Sequence, residues 1–213
     1  FSLPLWNKKV VATADRKIPV LPHDRPLSLP QIIRIPGAKE VMITFFCYCA
    51  LEQTIGLWAS SYLALHRGLS SETAAGCAGL FFIGITVGRA LSGFLTLKLN
   101  DTQMIRLGQG LLLAGILLFL LPFGEVSALA GLALTGLGCA PVYPSVIHST
   151  PQHFGAERSQ AMIGVQMASA YTGTCLMPPV FGLIANRIGV FLFPFYLLMI
   201  RLPWKKHSKF IRM

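Results

Sequence analysis

Charge is scarce in this sequence, acidic charge most of all. Of 213 residues only 12% are Asp, Glu, Lys or Arg, 8 acidic against 18 basic; a soluble domain carries roughly a quarter. That shortage excludes an ordinary water-facing surface. Cysteine is sparse and unpatterned. Cys47, Cys49, Cys77, Cys139 and Cys175 all lie in apolar runs and form no C-x-x-C pair, which leaves neither a disulfide framework nor a zinc site. No Walker A segment and no G-x-G-x-x-G occurs, so nothing here points to a nucleotide-driven pump. G-x-S-x-G is absent as well. None of the five histidines lies mid-span, and His148 and His153 are poorly spaced to share a metal. Neither an enzyme, a metal nor a cofactor is expected.

What is present is apolar. Hydrophobic residues make up 54% of the chain, in runs long enough to cross a bilayer. A spanning helix needs about 20 mostly apolar residues, because the hydrocarbon is roughly 30 Å thick and each residue rises about 1.5 Å. Six such spans are expected, near residues 41–65, 73–97, 104–121, 126–147, 159–185 and 188–200. The Ser70-Ser71-Glu72 segment supplies a helix cap for the second. The fold class is therefore an all-α membrane protein, a six-transmembrane-helix bundle.

Three regions follow. Residues 1–39 hold Phe1–Trp6, which reads as the end of a preceding helix, and then a polar connector interrupted by Pro19, Pro22, Pro26, Pro30 and Pro36. Residues 40–203 form the bundle, and residues 204–213 a basic tail. The net charge of +10 does not signal nucleic acid, because no basic stripe interleaved with aromatics accompanies it. It orients the helices instead. With the connector placed in the cytoplasm, the inside segments collect the connector's basic residues with Lys98, Arg106, Arg158 and the tail from Arg201 onward, leaving Arg67 and Arg187 outside. By the positive-inside rule both termini are cytoplasmic in a multi-pass protein of the cell membrane, with the lipid bilayer as its first partner.

Glu52 is the most informative single residue. A carboxylate near the middle of the first span costs at least ~2.5 kcal/mol to insert and normally faces a cavity or a partner. Thr44, Tyr48 and Glu52 recur at i, i+4 and share a face, with Gln53 on the adjacent stripe. Arg89 in the second span lies at a similar depth and is either a partner for Glu52 or a snorkelling group. Gln166 and Tyr171 in the fifth span, with Trp58 and Tyr62 toward the outer end of the first, offer amides and rings suited to a hydroxylated solute. For Trp58 and Tyr62 an interfacial aromatic belt is the equal alternative. Tyr143, beside Pro144, reads as packing at a bend.

Three segments carry a resemblance. The second span and its loop read Gly84-Ile-Thr-Val-Gly88-Arg89-Ala-Leu-Ser-Gly93, then Lys98-Leu-Asn-Asp101 and Arg106. The fourth reads Gly136-Leu-Gly138-Cys-Ala-Pro141-Val-Tyr143-Pro144, ending in Thr150-Pro151-Gln-His-Phe154-Gly155. The fifth has Gly164-Val-Gln166-Met-Ala-Ser-Ala-Tyr171-Thr-Gly173 and Pro178-Pro179-Val-Phe-Gly182. Together they resemble helices eight to eleven of major facilitator superfamily transporters, most closely the fucose:proton symporter family. Leu97 stands before Lys98 where many superfamily members have an acidic residue.

The resemblance implies the carboxy-terminal half of a twelve-helix fold, two inverted three-helix repeats, with an amino-terminal six-helix half as its missing partner. It implies a secondary active transporter of a sugar or similar small polar solute, coupled to protons or sodium. Glu52, Tyr48, Gln53, Gln166, Tyr171 and Trp58 would then contact the solute, and Glu52, Arg89, Lys98 and Asp101 would serve gating or proton coupling. A transporter of a drug or other metabolite, or a non-transporting membrane protein, are the alternatives.

Overall fold

The structure, a computed structural model, describes residues 28–121 and 124–207. The expected helix end at residues 1–6, most of the connector and the tail beyond residue 207 lie outside the described residues. All regular structure among the described residues is helical: α1 (Leu29–Ile33), α2 (Ala38–Arg67), α3 (Ser71–Leu95), α4 (Asp101–Leu120), α5 (Gly124–Cys139), α6 (Val142–Phe154), α7 (Ala156–Arg187) and α8 (Phe193–His207), with a short 3-10 turn at Val190–Leu192 before α8.

The expected spans map onto these helices in order, with α5 and α6 sharing the fourth. Four are long and apolar enough to cross a membrane: α2, α3, α4, and α5 with α6 taken as one stretch, Gly124–Phe154. The 32-residue α7 has ample length, but Gln166, Ser169, Thr172, Thr174 and the Pro178-Pro179 pair dilute its apolarity. The Ser70 side chain accepts from the Thr73 N–H and caps α3, as the sequence indicated. The fourth span breaks at Ala140-Pro141 because Pro141 has no N–H for the helical ladder.

Lipid offers no hydrophobic drive between helices, so close van der Waals contact must hold them, and small residues permit it. Glycine does this work here at one crossing above all. A Cβ on Gly136 of α5 would collide with the Phe81 carbonyl of α3, and one on Gly84 with the Ala133 carbonyl. Further along, Gly88 faces Ala140, so residue numbers rise together and α3 and α5 run parallel. On its other side α5 meets α4 antiparallel, with Gly108 against Gly138 and Gly115 against Thr135 and Gly131.

The second large interface joins α2 to α7. Ser169 Oγ donates to the Met42 carbonyl at 2.9 Å, Gly173 abuts the Phe46 carbonyl, and Trp58 Nε1 donates to the Pro178 carbonyl at 3.1 Å. Numbers again rise together, so these helices are parallel too. The first three crossings run up, down, up and the second three down, up, down, which is the inverted topology of two three-helix repeats.

At the end of the bundle near Arg67 the core is aromatic. Phe193 stands within 5.8 Å, ring centre to ring centre, of Tyr62, Phe119 and Phe181. Both the Tyr62 hydroxyl and Arg67 Nη2 donate to the Phe119 carbonyl, at 3.1 and 2.6 Å, tying the end of α2 to the unpaired carbonyls at the end of α4. One feature of the far end differs from the sequence reading. α8 continues through Pro203 to His207, and Trp204 is fully buried edge-on to Tyr48. Arg201, expected to open a solvated basic segment, is buried and donates to the Gln109 carbonyl at 3.1 Å. A single turn of helix beyond Ile200 places both residues in the packed interior.

Candidate functional site

Helix α2 is the central wall of the bundle, packed against α3, α7 and α8, and Glu52 lies near the midpoint of its 30 residues. Glu52 is half-buried, at the edge where the packed interior gives way to the open face. Its i−4 neighbours on the expected stripe, Tyr48 and Thr44, are buried. The stripe thus runs from the interior out to the carboxylate and does not lie wholly on a cavity wall. The Tyr48 ring is held by Trp204, its hydroxyl in hydrogen-bonding reach of Glu52. Gln53 is exposed beside them.

Tyr143 belongs to this neighbourhood, which its sequence context did not reveal. It occupies the first turn of α6, directly after the break at Pro141. Its ring lies 5.5 Å from Phe45, and its hydroxyl donates only to the Met167 sulfur at 3.4 Å, a weak acceptor. It is 39% exposed and stands within electrostatic range of Glu52, Arg89, Tyr171 and Cys49. The break at Ala140-Pro141 lies immediately before it. An aromatic between two prolines was the available signal.

Arg89 and Tyr171 are both exposed on the isolated bundle. Arg89 and Glu52 form no ion pair among the described residues, so the pairing considered from depth alone is not made. Two of the expected solute contacts point elsewhere. Gln166 is completely buried, its amide exchanging hydrogen bonds with the Thr150 hydroxyl at 3.0–3.3 Å. It ties α7 to α6, and the helical periodicity that put it on a polar face could not tell interior from cavity. Trp58 uses its N–H on the Pro178 carbonyl and its ring edge-on against Phe181, acting as an anchor between α2 and α7.

The expected gating residues lie at the opposite end of α3 and the start of α4. Lys98 is exposed in the connecting turn. Asp101, the first residue of α4, accepts a hydrogen bond at Oδ2 from His148 Nδ1 of α6 at 2.8 Å. Beneath them opens a cleft of about 670 Å³, lined by hydroxyls and amides from α3, α4 and α6.

The arrangement of parallel and antiparallel crossings, the glycine-lined interfaces and the broken fourth span are now matched by comparison with known proteins. The sequence profile of the Major Facilitator Superfamily aligns with residues 41–201. The chain belongs to the Major Facilitator Superfamily. It is 24% identical over 196 residues to the Bypass of stop codon protein 6 of Saccharomyces cerevisiae, an alignment covering 85% of this chain and 39% of that protein. Among solved structures it resembles FucP, a major facilitator transporter in the outward conformation, with TM-score 0.73 and 16% identity over 86% of this chain and 44% of that one. It also resembles the peptide transporter POT in complex with alafosfalin, with TM-score 0.70 and 16% identity over 83% and 37%. The chain therefore spans about two fifths of the length of these relatives. The fold is that of a partial major facilitator bundle, and the protein is a membrane protein of a transporter superfamily.

Proposed function

We propose that this chain forms one wall of the solute pathway in a secondary transporter for a small polar solute, and that Glu52 is its proton-coupling group. The observation that carries this reading is a carboxylate at mid-span, half-buried, without an ion-pair partner among the described residues and bordered by Tyr48 and Tyr143. A mid-membrane carboxylate is costly, and a group that alternates between charged and neutral as its access changes turns that cost into coupling. Two bundles must rock about the shared site for transport, so the working unit is this chain with an amino-terminal six-helix half. Gln53 and Tyr171, both exposed, would join Glu52 in lining the pathway.

A sugar is the favoured solute, because hydroxyls suit carboxylate, amide and phenol groups and ring faces suit tyrosine. A second reading has its own observation. Glu52 and Arg89 both act electrostatically on Tyr143 yet form no ion pair with each other among the described residues, a layout that fits a metabolite bearing both charges.

The test is Glu52→Gln in the two-half assembly, reconstituted in liposomes with candidate sugars and zwitterions. Uptake driven by a pH gradient should fall at least tenfold, while solute exchange without a gradient persists. Gradient-driven uptake equal to wild type would remove Glu52 from the mechanism.

A further inference from the structure

At the end of the bundle that carries Lys98 and Arg106, one interaction joins the two three-helix repeats through side chains alone. His148 Nδ1 of α6 lies 2.8 Å from Asp101 Oδ2 at the start of α4. It is the ion pair found among the described residues. α5 and α6 together run 31 residues, about 46 Å of helix against about 30 Å of hydrocarbon, so the last turns of α6 project beyond the membrane. His148 meets the first residue of α4 at that boundary, and its side chain is 72% exposed while that of Asp101 is 19% exposed.

The segment bearing His148 is short and has distinct bounds, with its other face held to α7 by the Gln166–Thr150 bonds. α6 has only 13 residues and is bounded by the break at Pro141 and by Gly155, whose φ of 80° and ψ of 154° suit glycine alone. Between α6 and the ends of α3 and α4 lies the 670 Å³ cleft, lined by Thr96, Asn100, Asp101, Ser145, His148 and Gln152 among others. There is open volume for α6 to tilt, and the His148–Asp101 contact spans its mouth.

We propose that the His148–Asp101 pair is a proton-operated clamp between the two repeats, closed when His148 is protonated and released when it is neutral. A protonated imidazole gives a charge-assisted bond to the carboxylate; a neutral one keeps at most an ordinary hydrogen bond. The other ionisable groups around it do not substitute for the pair. His153 of α6 bonds the Ser149 carbonyl one turn back, while Lys98, Arg106 of α4, and Glu157 and Arg158 at the start of α7 are exposed and ion-paired with neither member among the described residues. The Asp101 carboxylate, by its hydrogen bond first and its charge second, holds the His148 pKa above the usual 6.5. A raised histidine pKa means the stabilisation is fully present below 6.5 and is lost as pH rises through the raised value.

The experiment uses the full 213-residue chain in lipid nanodiscs, labelled with 13C at histidine Cε1. One resonance, assigned by its loss in His148→Gln, should titrate above 6.5, and Asp101→Asn should return it to that value. Spin labels on unnatural amino acids at Lys98 and Gln152 should give a single short distance near pH ~5.5 and a longer, broader one near pH ~8, with the difference abolished in Asp101→Asn. An unshifted resonance, a shift that survives Asp101→Asn, or a distance distribution that ignores pH would each overturn the clamp.

Discussion

Single residues in this protein do one of two things: they close a helix crossing or they stand where a crossing opens. Gly136 is of the first kind. Any side chain there meets the Phe81 carbonyl, and backbone cannot rotate aside as a side-chain tip does. Gly136→Val should therefore lower the unfolding free energy of the purified chain by about 1–3 kcal/mol or more, read as a fall in thermal midpoint in detergent. Gly110→Val, at a helical glycine with nothing within 4 Å, is the control and should leave the midpoint unchanged or slightly raised, because glycine is the poorer helix former. Glu52 and Tyr143 are of the second kind. Glu52 stood out because a lone carboxylate in an apolar run has few explanations, and the structure leaves it half-buried without an ion-pair partner among the described residues. Gln166 was equally conspicuous and turned inward to Thr150, since a polar group inside a bundle is satisfied as well by a neighbour as by a solute.

Among the elements, the divided fourth span is the one whose form bears on function. Pro141 ends the ladder between α5 and α6, and the redirected chain delivers Tyr143 to the neighbourhood of Glu52 and His148 to Asp101. Restoring the N–H of residue 141 should return its ladder bond to Leu137, while Pro144 still leaves the Ala140 carbonyl without its partner. Pro141→Ala is expected to slow amide exchange across residues 138–145 by at least tenfold, measured by hydrogen exchange with mass spectrometry. It should also blunt the pH response of the Lys98–Gln152 distance, because a stiff fourth span no longer lets α6 tilt. Equal exchange in both proteins would mean that the break is set by packing of Gly138 and Ala140 and owes nothing to proline. The sequence foretold a bend here, but not that the helix is interrupted outright. The extent of α8 was less legible: a short apolar run before basic residues reads as a helix leaving the membrane, whereas contacts with Gln109 and Tyr48 draw Arg201 and Trp204 into the interior.

For the whole molecule, alternating helix directions and lopsided basic charge make a topological prediction. Lys98 and Arg106 belong to one end of the bundle and Arg67 and Arg187 to the other. Cysteines introduced at Lys98 and Arg67, in cells expressing the chain, should label from opposite sides, the first only after permeabilisation and the second with an impermeant maleimide. Labelling of Lys98 from outside would invert the assignment.

Composition and pattern alone determined that this is a helical membrane protein and the order of its spans, because lipid leaves the backbone no choice but helix and demands about 20 apolar residues per crossing; the starts of the later helices moved by up to five residues in the structure. They also singled out Glu52, since buried charge is too costly to be incidental. Which helices lie side by side was decided only in three dimensions. The α2–α7 and α3–α5 pairings join segments distant in sequence, through glycines whose use appears only once the facing carbonyl is in place. The same holds for the carboxylate's surroundings. Tyr143 settles on Phe45 and Met167 and Gln166 turns inward to Thr150 because helix rotation, fixed by packing on every side, determines what a face that periodicity merely outlines will meet.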